Sequence, residues 1–208
     1  MYDGARKEYV WTYELPRQAL ELVACVDREV PGVGIQVCTF DCTYFCKENK
    51  TMEHFRQTTG LPHLISHYLD VQEPIAKIIF GSDREEDILA TARVLDAHPL
   101  ADSFAFTRSA HSLYEILPKG SHKGIALTKL AEHLNLDRRK TVAIGDYDND
   151  VGMFRAAGVG IAVSNASERA LRAADLVTVS NEEHAIARII SDIEQGKICF
   201  ESGGSDDE

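Results

Sequence analysis

The chain has 208 residues, enough for one domain or two small ones and for a buried core without disulfide staples. It carries 33 acidic against 22 basic side chains, a net charge of −11, and a body without the tail acids Glu201, Asp206, Asp207 and Glu208 still stands at −7. That field, with no basic patch to reverse it, argues against nucleic acid as a partner, and no apolar run reaches membrane-spanning length, which argues against a membrane.

Up to Pro118 the pattern predicts an α+β domain of helices and antiparallel strands, residues 1–118. Apolar residues at helical spacing (Leu15, Ala19, Leu22, Val23, Val26) predict a helix from Leu15 to Glu29, stopped by Pro31-Gly32. Val33 to Cys38 alternates as a strand, and Thr43 to Lys47 reads as its partner. A helix is expected from Met52 to Thr59, a short strand from Ala76 to Phe80, and an amphipathic helix from Glu85 to Ala97. Phe104 to Thr107 and Leu113 to Leu117 read as two strands with Ser109-Ala110-His111 as the hairpin loop. Five cysteines (Cys25, Cys38, Cys42, Cys46, Cys199), with no signal peptide at Met1, give the expectation of a reducing cytoplasm. Cys38, Cys42 and Cys46 share parity, so on one unbroken strand they would line one face. Their spacing is wrong for zinc, and buried structural thiols are expected.

From Lys119 onward strands and helices alternate. Helices are predicted at Lys123 to Leu134, Asp150 to Ala157, Ser167 to Ala174 and Glu182 to Ile193. Apolar strands are predicted at Thr141 to Ile144, Val159 to Val163 and Leu176 to Val179. This alternation means a parallel sheet with helices on its faces, so the fold class is α/β: part of a Rossmann-like sheet over residues 119–200, beside the α+β domain. Residues 201–208 read as an acidic disordered tail.

Ligands of open parallel sheets bind beyond the carboxyl ends of the strands. The first such loop reads Gly145-Asp146-Tyr147-Asp148-Asn149-Asp150, three carboxylates and an amide crowded before a helix. Like charges held this close destabilise a fold unless a hard cation resolves them, and oxygen-only donors suit Mg²⁺. Helix capping accounts for one or two of the four residues. An EF-hand fails, because Val151 stands where glycine is needed and Ala157 where a bidentate glutamate is needed. Lys119-Gly120-Ser121-His122-Lys123-Gly124 opens a predicted helix, where free N–H groups and a lysine suit a phosphate.

Lys123-Gly124-Ile125-Ala126-Leu127, followed by a strand ending in Gly145-Asp146-Tyr147-Asp148-Asn149-Asp150-Val151-Gly152-Met153, resembles the third and fourth motifs of the haloacid-dehalogenase-like hydrolases. The run from Ala156 to Val163, then Asn165-Ala166 and Ala173-Ala174-Asp175, is similar to the Cof-type sugar phosphatase branch, in which residues 1–118 correspond to the cap. The resemblance implies a Mg²⁺-dependent phosphatase of small phosphorylated metabolites working through an aspartyl-phosphate. Asp146 would bind the metal, Asp150 would support it directly or through water, Asn149 would contact the phosphoryl group, and Lys123 would neutralise it. The family's opening Asp-x-Asp-Gly-Thr, source of the nucleophile and the general acid, is missing from this sequence, and His122 stands where small polar residues are usual. The expectation is an N-terminally truncated chain, inactive as written. The alternative is a non-catalytic binding protein derived from such an enzyme. Without its neighbour, the strand at Thr141 to Ile144 has an open edge suited to self-association. Tyr44, Asp41 and Glu115 are candidates for substrate contacts from the cap.

Overall fold

Proline decides where the first helix begins. Residue 16 is Pro, which biases the residue before it toward extended backbone. Leu15 accordingly bridges Ile75, its N–H donating to the Ile75 carbonyl at 2.7 Å, and helix α1 starts only at Ala19 and runs to Glu29. This comes from a computed structural model that describes residues 1–200, and the expected acidic tail lies outside those residues. The chain divides into two compact units, the first Met1–Ser121, the second beginning at His122.

In the first unit a two-residue pairing of β1 (Tyr2–Asp3) with β2 (Glu8–Tyr9) precedes α1. A six-stranded sheet follows: β3 (Gly34–Thr39), β4 (Thr43–Lys47), β5 (His63–Ile65), β6 (Ile75–Gly81), β7 (Phe104–Ala110) and β8 (Leu113–Pro118). Its order is β5-β4-β3-β6-β8-β7. All neighbours are antiparallel except β4 and β5, which α2 (Lys50–Thr59) joins as a crossover. That parallel pair departs from the expected all-antiparallel sheet, and β5 was missed because three exposed residues carry no alternation to read. The β7–β8 loop is tighter than expected: β7 runs to Ala110 through a bulge between Arg108 and Ala110, leaving His111-Ser112 to turn.

Alternation along the strands sorts the core. Ile35, Val37, Ile78, Phe80 and Ile116 pack with Leu22, Val23 and Val26 of α1 and Leu95 of α3 (Glu85–Asp96). A smaller cluster of Phe45, Met52, Ile79 and Leu113 involves α2. The three cysteines do not line one face. The chain turns after Thr39, so Cys38 packs beside the Phe45 cluster while Cys42 and Cys46 pack on the larger core. Burial pushes the Cys38 thiol up to about 11 and the Cys46 thiol up to about 12.

In the second unit three parallel strands, β9 (Val142–Gly145), β10 (Val159–Val163) and β11 (Leu176–Thr178), lie in the order β11-β10-β9. Helices α4 (Lys123–His133), α5 (Val151–Ala156), α6 (Glu168–Ala173) and α7 (Ala185–Glu194) accompany them. One cluster of its buried residues is Ala143, Phe154, Ala162 and Ala170, and Val151, Ile161, Val163 and Ile189 are buried as well. Helix α7 begins three residues later than expected, because His184 takes a left-handed φ of 58° and ends the preceding turn. Among the described residues no helix is long and apolar enough to cross a membrane.

Candidate active site

Strand β9 ends at Gly145, and the acidic loop turns back over that glycine. A Cβ on Gly145 would sit 2.4 Å from the Asp150 carboxyl carbon, so only glycine lets the Asp150 side chain fold in there. Asp150 is buried. Its Oδ2 accepts the backbone N–H groups of Asp146 and Tyr147 at 2.9 and 3.1 Å, and its Oδ1 accepts Lys123 Nζ at 2.5 Å. Both oxygens are therefore engaged. The carboxylate shapes the loop from inside.

Lys123 reaches Asp150 because α4 and α5 meet backbone to backbone. A Cβ on Gly124 would lie 2.2 Å from the Gly152 carbonyl oxygen. His122, unusual at its position, caps α4, its Nδ1 accepting the Ile125 N–H at 3.3 Å. Lys123 leads that helix half-exposed, with one of its three ammonium hydrogens used by Asp150.

Asp148 turns away from the loop interior. It accepts the Ser167 hydroxyl at 2.7 Å and lies 3.9 Å from Arg169, while the Ser167 N–H donates to the Asp146 carbonyl at 2.9 Å. Ser167 thereby moors the loop to the start of α6, whose amino end it also caps through the Ala170 N–H. An N-cap serine is legible in a sequence; its second bond to Asp148 is not. Among the described residues the buried Asn149 Oδ1 has no hydrogen-bond partner, which marks a place where a donor or cation belongs.

Asp146 differs from both neighbouring acids. It is exposed, and its carboxylate has no polar partner among the described residues. It lines a cavity of about 560 Å³ with Ile144, Val163, Asn181, His184 and Ile190. Asn181 and His184 come from the turn before α7 and carried no motif to find them by. Mg²⁺ usually takes one or two protein carboxylates plus waters and phosphate oxygens. Asp146 and the orphaned Asn149 oxygen fit part of such a set. Among the described residues no group of three or more His, Cys, Asp or Glu side chains is placed to hold a metal.

The cap candidates are each tied up separately. Tyr44 is buried in the larger core and its hydroxyl donates to Glu73 at 2.6 Å, which pushes the phenol up to about 12 and holds the Glu73 carboxyl below its usual range. Glu115 is buried and accepts Lys77 Nζ at 3.2 and 3.3 Å. Asp41 accepts the Tyr9 hydroxyl at 3.4 Å.

Residues 4–190 match the sequence model of the haloacid dehalogenase-like hydrolases. The 5-amino-6-(5-phospho-D-ribitylamino)uracil phosphatase YwtE of Bacillus subtilis is 35% identical over 148 residues, 70% of this chain and 50% of that protein. The chain spans about half the length of the curated relatives it matches. Among solved structures, a haloacid dehalogenase-like hydrolase from Bacteroides thetaiotaomicron superposes with a TM-score of 0.76 at 24% identity, over 92% of this chain and 72% of that one. The subclass IIB sugar phosphatase BT4131 gives 0.75 at 21%, over 93% and 72%. At these identities the structures show a shared fold, a Rossmann-like core with a cap.

Proposed function

The chain belongs to the haloacid dehalogenase-like hydrolase family, and from that premise we propose that it supplies the metal- and phosphate-binding half of a Mg²⁺-dependent phosphatase of small phosphorylated metabolites. The observation that carries this reading is the division of labour at the end of β9. Asp150 spends both oxygens on holding the loop and Lys123, which leaves Asp146 as the carboxylate free to take a cation.

Asp146 is assigned the metal, with the Asn149 side chain beside it. When bound, Mg²⁺ would neutralise phosphoryl charge and polarise the phosphorus–oxygen bond. Asn149 offers its amide N–H groups to a phosphoryl oxygen. Lys123, held by the buried Asp150 carboxylate, places a positive charge where negative charge gathers as the phosphoryl group transfers; such positioned charge does most of the work in this chemistry. Asp150 is assigned the supporting role, aligning Lys123 and two loop amides. The 208 residues contain no Asp-x-Asp-Gly-Thr run. The carboxylate that forms the aspartyl-phosphate is therefore assigned to polypeptide outside them, on a strand laid parallel to β9. By this reading the 208 residues alone are inactive.

The test is hydrolysis of p-nitrophenyl phosphate and a panel of sugar phosphates by residues 1–208, and by the chain extended upstream in the same reading frame. Turnover is expected from the extended chain alone. EDTA should abolish it, and Asp146→Ala or Lys123→Ala should lower it by about a hundredfold or more. Turnover by residues 1–208 that survives Asp146→Ala would sink the proposal.

A further inference from the structure

The acidic loop after β9 carries three carboxylates, and two of them have a cation of their own. Asp150 has Lys123 at 2.5 Å, and Asp148 has Arg169 at 3.9 Å. Asp148 is also held by Ser167, whose hydroxyl donates to its Oδ1 at 2.7 Å. A serine hydroxyl has one proton to give and accepts through its lone pairs. Ser167 Oγ accepts the Ala170 N–H at 3.2 Å, and its one proton points to Asp148. The Ser167 N–H meanwhile donates to the Asp146 carbonyl at 2.9 Å. One residue thus grips the loop at both Asp146 and Asp148.

We propose that Ser167 is a positioning residue for the cation assigned to Asp146: it keeps the Asp148 carboxylate turned away, out of the cation's ligand set, and thereby sets which divalent ion the loop prefers. This rests on the reading of Asp146 as a metal ligand. Capping α6 requires only that Ser167 accept the Ala170 N–H. The bond to Asp148 serves no part of the cap. Arg169, on the same helix, holds the other oxygen of Asp148 from an exposed position, where an ion pair is weak. The half-buried hydroxyl is therefore the main hold.

The consequence is one of ligand number. Mg²⁺ takes one or two carboxylates and keeps several waters, whereas Ca²⁺ gathers about six to eight oxygens in a looser shell. A loop that offers Asp146 as its one uncompensated carboxylate suits the first habit. Asp148 stands two residues along, and once released it adds a second carboxylate to the same loop, which suits the second.

The backbone amide signals of Asp146 and Tyr147 in the 208-residue chain, followed by NMR during separate titrations with MgCl₂ and CaCl₂, give the ratio of the two dissociation constants with no activity measured. Ser167→Ala should move that ratio toward Ca²⁺ by about tenfold, and Ser167→Thr, which keeps the hydroxyl, should leave it at the parent value. Adding Asp148→Asn to Ser167→Ala should return the ratio to the parent value, because an amide brings no second carboxylate. A residue that only capped α6 would weaken both ions alike and leave the ratio where it was. Should Ser167→Ala fail to fold, Arg169→Gln, which leaves the cap intact, carries the same test by moving the ratio in the same direction. An unchanged ratio, or a shifted one that survives Asp148→Asn, overturns the inference and leaves Asp146 its cation. An Asp146 signal that neither ion moves sinks both.

Discussion

Lys123 Nζ lies 2.5 Å from Asp150 Oδ1, and the two charges occupy unlike surroundings: the lysine side chain is 48% exposed, the carboxylate 3%. The carboxylate depends on its donors far more than the lysine depends on its acceptor. Asp150→Ala, which frees three donors, should cost roughly 3 kcal/mol of unfolding free energy, and Lys123→Met about 1–2 kcal/mol, because water can partly replace the ammonium. Urea denaturation of the two single variants and the double variant checks this. A coupling near zero would mean that the pair does not cooperate.

Two glycines set how closely the site can be built. Gly145→Ala puts a methyl 2.4 Å from the Asp150 carboxyl carbon, and Gly124→Ala puts one 2.2 Å from the Gly152 carbonyl oxygen. The backbone clash at Gly124 has no flexible partner to yield, so that substitution should be the worse of the two. Losses of about 1–3 kcal/mol, read from thermal or urea unfolding, are expected. Gly4→Ala, with nothing within 4 Å, is the control.

The Tyr44–Glu73 bond gives the first unit a pH signature with two ends. The Glu73 carboxyl is held below its usual range, so its contribution is present above the ordinary carboxylate pKa and lost as pH falls through the lowered value. The Tyr44 phenol is raised from 10.0 to about 12, so its contribution is complete below pH 10 and is lost as pH climbs toward 12. The stability difference between the parent chain and Tyr44→Phe should be flat across neutral pH and shrink at both extremes. A difference that persists below the carboxylate range would exclude Glu73 as the partner that matters.

Thiol labelling should separate the five cysteines. Cys199 is exposed, whereas burial raises Cys38 to about 11 and Cys46 to about 12. The thiolate is the nucleophile, so at pH 8 iodoacetamide should modify Cys38 about a hundredfold, and Cys46 about a thousandfold, more slowly than an unperturbed thiol. Mass spectrometry of time points gives the order. Early modification of Cys46 would contradict its burial.

Most of this architecture was legible because its elements announce themselves. The run Val159–Val163 is bounded by Gly158 and the Asn165 turn, and strand β10 keeps those limits. The acidic loop was legible as a cluster, but not the split within it. Spacing and residue type rank Asp146, Asp148 and Asp150 alike, and only the family resemblance set Asp146 and Asp150 apart as metal-binding and supporting. Only the fold shows one facing solvent, one moored to Ser167 and one buried under two amides. Leu15 was misread because helical spacing is blind to the constraint a following proline places on it. β5 and the β1–β2 pairing were missed because three and two residues fall below the length at which alternation can be seen. The cap candidates were chosen by residue type, which says nothing of whether a hydroxyl already has a partner, as that of Tyr44 does.

The Asp150 carboxylate has a consequence for motion. Loop amides ordinarily trade their protons with water quickly, since nothing inside the protein holds them. Those of Asp146 and Tyr147 belong to a loop by position, yet both donate to an oxygen shut away from solvent. Their hydrogen exchange should be as slow as that of a strand interior, making this the stiffest turn at the ends of β9, β10 and β11. A cation arriving at Asp146 would then find its ligand already set, with little ordering left to do on binding.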